Sequence, residues 1–123
     1  MTRVLVATES VHTTAAACDY LAPRLDGDDE VLLLTVETDE LEARDAGDAA
    51  NVARTRLVDP SVESITREGE PAAEIRAVAA AESVDEILLG QHRGDPTVAG
   101  DSPGSTVRAV LAETELPVVV VAI

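Results

Sequence analysis

Ile87-Leu88-Leu89-Gly90 is a short apolar run that stops at a glycine, and behind it nine residues separate Gly94 from Gly104-Ser105, where a second apolar-periodic segment begins. A strand that ends in glycine, passes through a loop of small residues and enters a helix at Gly-Ser can turn backbone N–H groups and a hydroxyl toward a phosphate. Glycines at these spacings also serve tight turns and helix ends with no ligand at all. The rest of the chain has to choose between the two.

Outward from that stretch the pattern alternates. Residues 4–8 and 28–36 carry apolar runs, the second built on Val31-Leu32-Leu33-Leu34, and both read as strands buried on two faces, the signature of a parallel sheet. Between them, residues 12–25 place Ala15, Cys18, Leu21, Ala22 and Leu25 on one helical stripe, with Thr13 or Thr14 as a cap and Pro23 expected to end the helix early. Residues 39–57 form a weaker, alanine-rich helix whose inner face is Ala46, Ala49, Ala53 and Leu57, with Val52 beside it and Gly47 as a weak point.

Residues 62–66 read as a third strand. Pro71 suits the first position of a helix over about 71–83 with Ala72, Ile75, Val78 and Ala79 inward. Residues 87–90 make a fourth strand, 105–113 a fourth helix with Val107, Val110 and Leu111 inward, and 117–123 a fifth strand. The order βαβαβαβαβ predicts one doubly wound α/β domain over 1–123: a mostly parallel, Rossmann-like five-stranded sheet with about four helices on its two faces. In such sheets ligands bind beyond the carboxyl ends of the strands, where the strand order reverses. Residues 8–12, 36–38 and 90–105 should therefore meet at one edge.

With 123 residues the chain is long enough to bury roughly two-thirds of its unfolded surface. Aromatic residues make up only 1%, Tyr20 alone, so the core must be aliphatic. The formal charge is -15 and every one of the nine basic residues is an arginine. This surface repels nucleic acid and anionic lipid. The acids are spread through the periodic segments, which assigns the charge to a folded surface resembling those of salt-loving, halophilic microbes, where molar salt shortens the Debye length to about 3 Å. No apolar run reaches the roughly 20 residues of a membrane helix, and a cytoplasmic location is expected. Cys18, the sole cysteine, reads as a buried thiol on its helical stripe.

Four pieces of the chain resemble the universal stress protein family, the UspA-like adenine-nucleotide-binding domains: Val4-Leu5-Val6-Ala7-Thr8-Glu9-Ser10; Gly69-Glu70-Pro71-Ala72-Ala73-Glu74-Ile75; Asp85 through Gly90; and Gly104-Ser105 through the Val118–Val121 run. The family pattern is glycine, two residues, glycine, nine residues, glycine, then serine or threonine. This chain keeps the nine-residue gap but carries three residues between Gly90 and Gly94, has Glu9 where the family usually has aspartate, and has Ala7 where many nucleotide binders have proline.

The resemblance implies an adenine nucleotide such as ATP held beyond Thr8, with the backbone of Val36 at the adenine, Glu9 at the ribose, and Gly90, Gly94, Gly104, Ser105 and Thr106 along the phosphates. Ser105 can equally be a helix N-cap. His92 and Arg93 are the loop's cations, and Arg93 has the better geometry for phosphate. Asp95 and Asp101 oppose a triphosphate unless Mg²⁺ or potassium intervenes. The resemblance also implies a homodimer formed by antiparallel pairing of the 117–123 edge strand. Two readings follow: a stress-response domain that binds nucleotide and dimerises, or a dimeric scaffold that has lost the nucleotide. No catalytic residue and no protein metal site is indicated. Catalysis is limited at most to slow ATP hydrolysis, because Thr8-Glu9-Ser10-Val11-His12 lacks a Ser-Gly-Gly phosphate loop.

Overall fold

The structure, a computed structural model, describes residues 1–8, 11–37, 43–90 and 105–122, and of residues 37 and 43–47 the backbone alone. Five strands and four helices alternate along it: β1 (Arg3–Thr8), α1 (Val11–Leu21), β2 (Glu30–Glu37), α2 (Ala43–Arg56), β3 (Ser61–Glu68), α3 (Pro71–Ala81), β4 (Glu86–Gly90), α4 (Ser105–Glu113) and β5 (Val118–Val121). The strands form one sheet in the order β3-β2-β1-β4-β5, with every pairing parallel. The predicted α/β class and βαβαβαβαβ order are both present.

Successive strand residues point to opposite faces, so the apolar runs divide by parity. Leu5, Ala7, Leu32, Leu34, Val36, Ile87 and Leu89 pack under Ala72, Ile75, Val78 and Ala79 of α3 and Val107 and Val110 of α4. Val4, Val6, Val31, Leu33 and Leu88 pack under Ala17, Cys18 and Leu21 of α1 and Ala49, Ala50, Ala53 and Leu57 of α2. The central strands need both faces apolar, and their near-continuous hydrophobic runs supply that. β3 is an edge strand with only Val62 and Ile65 partly buried, and its sequence alternates accordingly.

α1 ends at Leu21 and a turn occupies 22–24, the early end expected of Pro23, which has no N–H for another helical bond. Three local expectations are corrected. Thr13 and Thr14 lie within α1, two positions or more past its start, and are buried, so neither is its cap. The α1 stripe is rotated to Thr14, Ala17, Cys18 and Leu21, with Ala15 only half-buried. Leu111 is 49% exposed rather than inward, since α4 is seated on Val107 and Val110 near the sheet's margin. Strand and helix bounds otherwise shift by a few residues: β1 begins at Arg3, β2 at Glu30 and β3 runs on to Glu68. The start of the second helix at residue 39 and the inward side chain of Ala46 lie outside what the structure describes.

The amino end of the sheet is fastened by side chains. The Asp29 carboxylate accepts from the backbone N–H of Thr2 at 2.7 Å and of Asp26 at 2.8 Å, and Asp85 accepts from the N–H of Arg3 at 2.8 Å. Arg3 in turn donates through Nε to Glu30 at 2.8 Å and through Nη1 to the carbonyl of Glu82 at 2.6 Å. These contacts tie β1 to the starts of β2 and β4 and so fix the register that decides which residues stand together at the other end.

Candidate functional site at the carboxyl rim

Parallel pairing sends the carboxyl ends of all strands to one rim, and the helices enter from that rim. Chain order runs from β1 outward through β2 to β3, then crosses to β4 and β5. The reversal lies between β1 and β4, the position where open α/β sheets leave a crevice. Thr8 is level with Thr35 in β2, and Ala7 with Leu89 in β4. Strands about 4.8 Å apart therefore put Val36 and Gly90 about 10 Å from each other across Thr8, the span of a nucleoside.

Thr8 is buried, and its hydroxyl is 2.8 Å from that of Thr14 in α1. This contact accounts for a polar residue on α1's inner stripe: the first turn of α1 is latched to the end of β1. Val36 is buried with its side chain in the α3/α4 core. Its backbone is in the ladder with Arg67 of β3. Gly90 is half-buried at the last position of β4.

Ser105 is the first residue of α4 and is exposed, and Thr106 beside it is half-buried. Ser105 and Thr106 thus open the first turn of α4. The first-turn N–H groups of α4 carry the positive end of its dipole toward the rim. Thr8, Val36, Gly90, Ser105 and Thr106 thus stand at the carboxyl ends of strands or the amino end of a helix, as the sequence predicts. Glu9, His92, Arg93, Gly94 and Gly104 lie outside the described residues.

Two neighbours of the rim escaped the sequence reading. Thr35, in register with Thr8 and with Thr66, is 1% exposed. Its hydroxyl has no hydrogen-bond partner. Thr14 escaped because a threonine in the first turn reads as a cap. No local sequence signal marks Thr35, whose match to Thr8 and Thr66 comes only with the register.

Elsewhere the described residues offer other chemistry only weakly. No group of three or more His, Cys, Asp or Glu among them is arranged to hold a metal ion. Cys18 is buried under α1, and burial pushes its thiol up to about 11, as expected of a core cysteine. A groove lined by Ala79, Ser83, Val84, Thr114 and Leu116 and crossed by the Arg76–Glu113 ion pair lies at the opposite, amino edge of the sheet. No described helix is long and apolar enough to cross a membrane.

The family model described as the universal stress protein family matches residues 21–122. No curated protein matches the chain in sequence. Among solved structures, the hypothetical protein PH0823 is similar at 28% identity with a TM-score of 0.74, over 98% of this chain and 94% of that one. The hypothetical protein MJ0577 is similar at 24% identity and a TM-score of 0.79, over 99% and 96%. A universal stress protein family protein from Arabidopsis thaliana with AMP bound shares the fold at 14% identity and a TM-score of 0.70, over 99% and 92%.

Proposed function

The chain belongs to the universal stress protein family, and from that premise we propose that it is a single-domain, cytoplasmic stress-response protein that binds an adenine nucleotide, ATP foremost, at the carboxyl rim and acts as a homodimer. The observation that supports the reading is that Thr8, Val36, Gly90 and the start of α4 all lie at the carboxyl rim of the sheet, around the switch point between β1 and β4. AMP bound to a protein of the same fold supports the choice of ligand.

In this reading the backbone of Val36 meets the adenine and Glu9 the ribose. Gly90, Gly94, Gly104, Ser105 and Thr106 line the phosphates, and His92 and Arg93 offset their charge. The residues fit the group at its phosphate end: the start of α4 brings first-turn N–H groups and the hydroxyls of Ser105 and Thr106 to the rim, the kind of donor an anion requires. Asp95 and Asp101 in the same loop make Mg²⁺ or potassium a necessary companion of a triphosphate. The protein's work is binding, with at most slow hydrolysis.

Dimerisation is assigned to the β5 edge. Val118–Val121 carries no charge, Pro or bulge to blunt its unpaired backbone, and Val120 and Leu111 are 38% and 49% exposed. The acidic loop favours a second reading, a dimeric scaffold without nucleotide.

Calorimetric titration with Mg-ATP and AMP in molar KCl separates them. Ser105→Asp is the informative variant, since a carboxylate at a helix start stabilises α4 yet repels phosphate. It should lower ATP affinity at least about tenfold with an unchanged or raised Tm. Unaltered affinity would remove Ser105 from the site, and absence of binding by the natural sequence would leave the scaffold.

A further inference from the structure

We propose that Thr35 is a ligand-contacting residue of the rim site, its hydroxyl hydrogen-bonding the purine base of the bound nucleotide; this rests on the nucleotide reading above. Thr35 is the one described residue with a buried side-chain polar atom that lacks a hydrogen-bond partner, and it is 1% exposed. Leaving a hydroxyl buried and unpaired costs folding free energy, whereas valine has the same branched shape, suits a strand at least as well and has no such cost. Thr35 sits directly after Val31-Leu32-Leu33-Leu34, where the sequence otherwise uses aliphatic residues. A hydroxyl kept at that position against stability marks a partner supplied from outside the fold.

Its place in the sheet says which partner. Thr35 is level with Thr8, the last residue of β1, and immediately precedes Val36. One strand residue spans about 3.3 Å, so the hydroxyl lies about one hydrogen-bond length below the rim. The Thr8 hydroxyl on the same face is already engaged by Thr14. A hydroxyl both donates and accepts, so the adjacent ring nitrogen and amino group of a purine edge use both of its capacities, where a phosphate oxygen uses only the donor. Thr35 and Val36 point to opposite faces of β2, so the base reaches the hydroxyl from the end of the strand while it seats on the Val36 backbone.

The test compares Thr35→Val and Thr35→Ser with the natural sequence, by thermal melting without ligand and by calorimetric titration with Mg-ATP and with tripolyphosphate in molar KCl. The expected result is a Thr35→Val protein that melts higher, binds ATP about tenfold more weakly and binds tripolyphosphate as before, with Thr35→Ser retaining most of the ATP affinity. Equal ATP affinity in Thr35→Val, or an equal loss for tripolyphosphate, overturns the base contact while leaving the nucleotide reading intact. Failure of the natural sequence to bind ATP overturns both.

Discussion

Single residues at the amino end of the sheet carry a pH signature. The backbone N–H groups of Asp26 and Thr2 hold the Asp29 carboxyl below its usual range. A carboxylate with a depressed folded-state pKa stabilises the protein above the unfolded value, about 3.9, and that contribution disappears as pH falls through the folded value. Asp29→Asn, which keeps the shape but can accept only one of the two bonds, should therefore lower the urea midpoint at pH 7, and the gap should narrow at pH 3. A gap of equal size at both pH values would deny Asp29 this role. At this scale legibility was uneven. Ile75, Val78, Val107 and Val110 are buried as their spacing predicts, because periodicity reports burial. Thr14 and Thr35 were invisible to the same rule, which counts hydroxyl residues as outward.

Elements are set by their ends, and α3 illustrates both kinds. Glu70 caps it by accepting from the N–H groups of Ala72 and Ala73. Gly69 before it has φ +140, and a Cβ there would approach Glu74 Oε1 to 2.8 Å. Gly69→Ala should cost at least about 1 kcal/mol in chemical denaturation. At the other end Ser83 takes φ 53, and the Val84 N–H reaches the Ala79 carbonyl at 3.3 Å, closing the helix in a Schellman arrangement that normally uses glycine. Ser83→Gly should gain about 0.5 to 1 kcal/mol. Opposite signs for these two substitutions would support the account of α3, and a loss at Ser83 would contradict it.

The two edge strands differ just as clearly. β3 bears Glu63, Arg67 and Glu68, while β5 bears none. Val120→Glu places a charge on the bare edge, and light scattering in molar KCl should then find monomers where the natural sequence gives dimers. A variant that remains dimeric would move the interface elsewhere. Helix and strand identities were readable because parity and 3.6-residue spacing differ. Leu111 was misread because periodicity cannot tell a face seated on the sheet from one that overhangs its margin.

For the whole molecule, charge and topology make separate statements. A net charge of -15 without lysine produces self-repulsion that salt screens, so Tm should rise steeply from low to molar KCl. A flat Tm would remove the case for a high-salt habitat. The strand order was not legible, because alternation alone does not say which strands pair, but the parallel α/β class was, since apolar runs buried on two faces alternate with helical stripes. The rim's location followed from it. Its chemical detail did not, because matching Thr35 to Thr8 requires a register that no local pattern contains. The central claim is that this rim holds an adenine nucleotide. Mass spectrometry of the small molecules released from protein purified in molar KCl and incubated with Mg-ATP tests it most directly. Near-stoichiometric adenine nucleotide is predicted, and protein that releases none after that incubation would contradict the account.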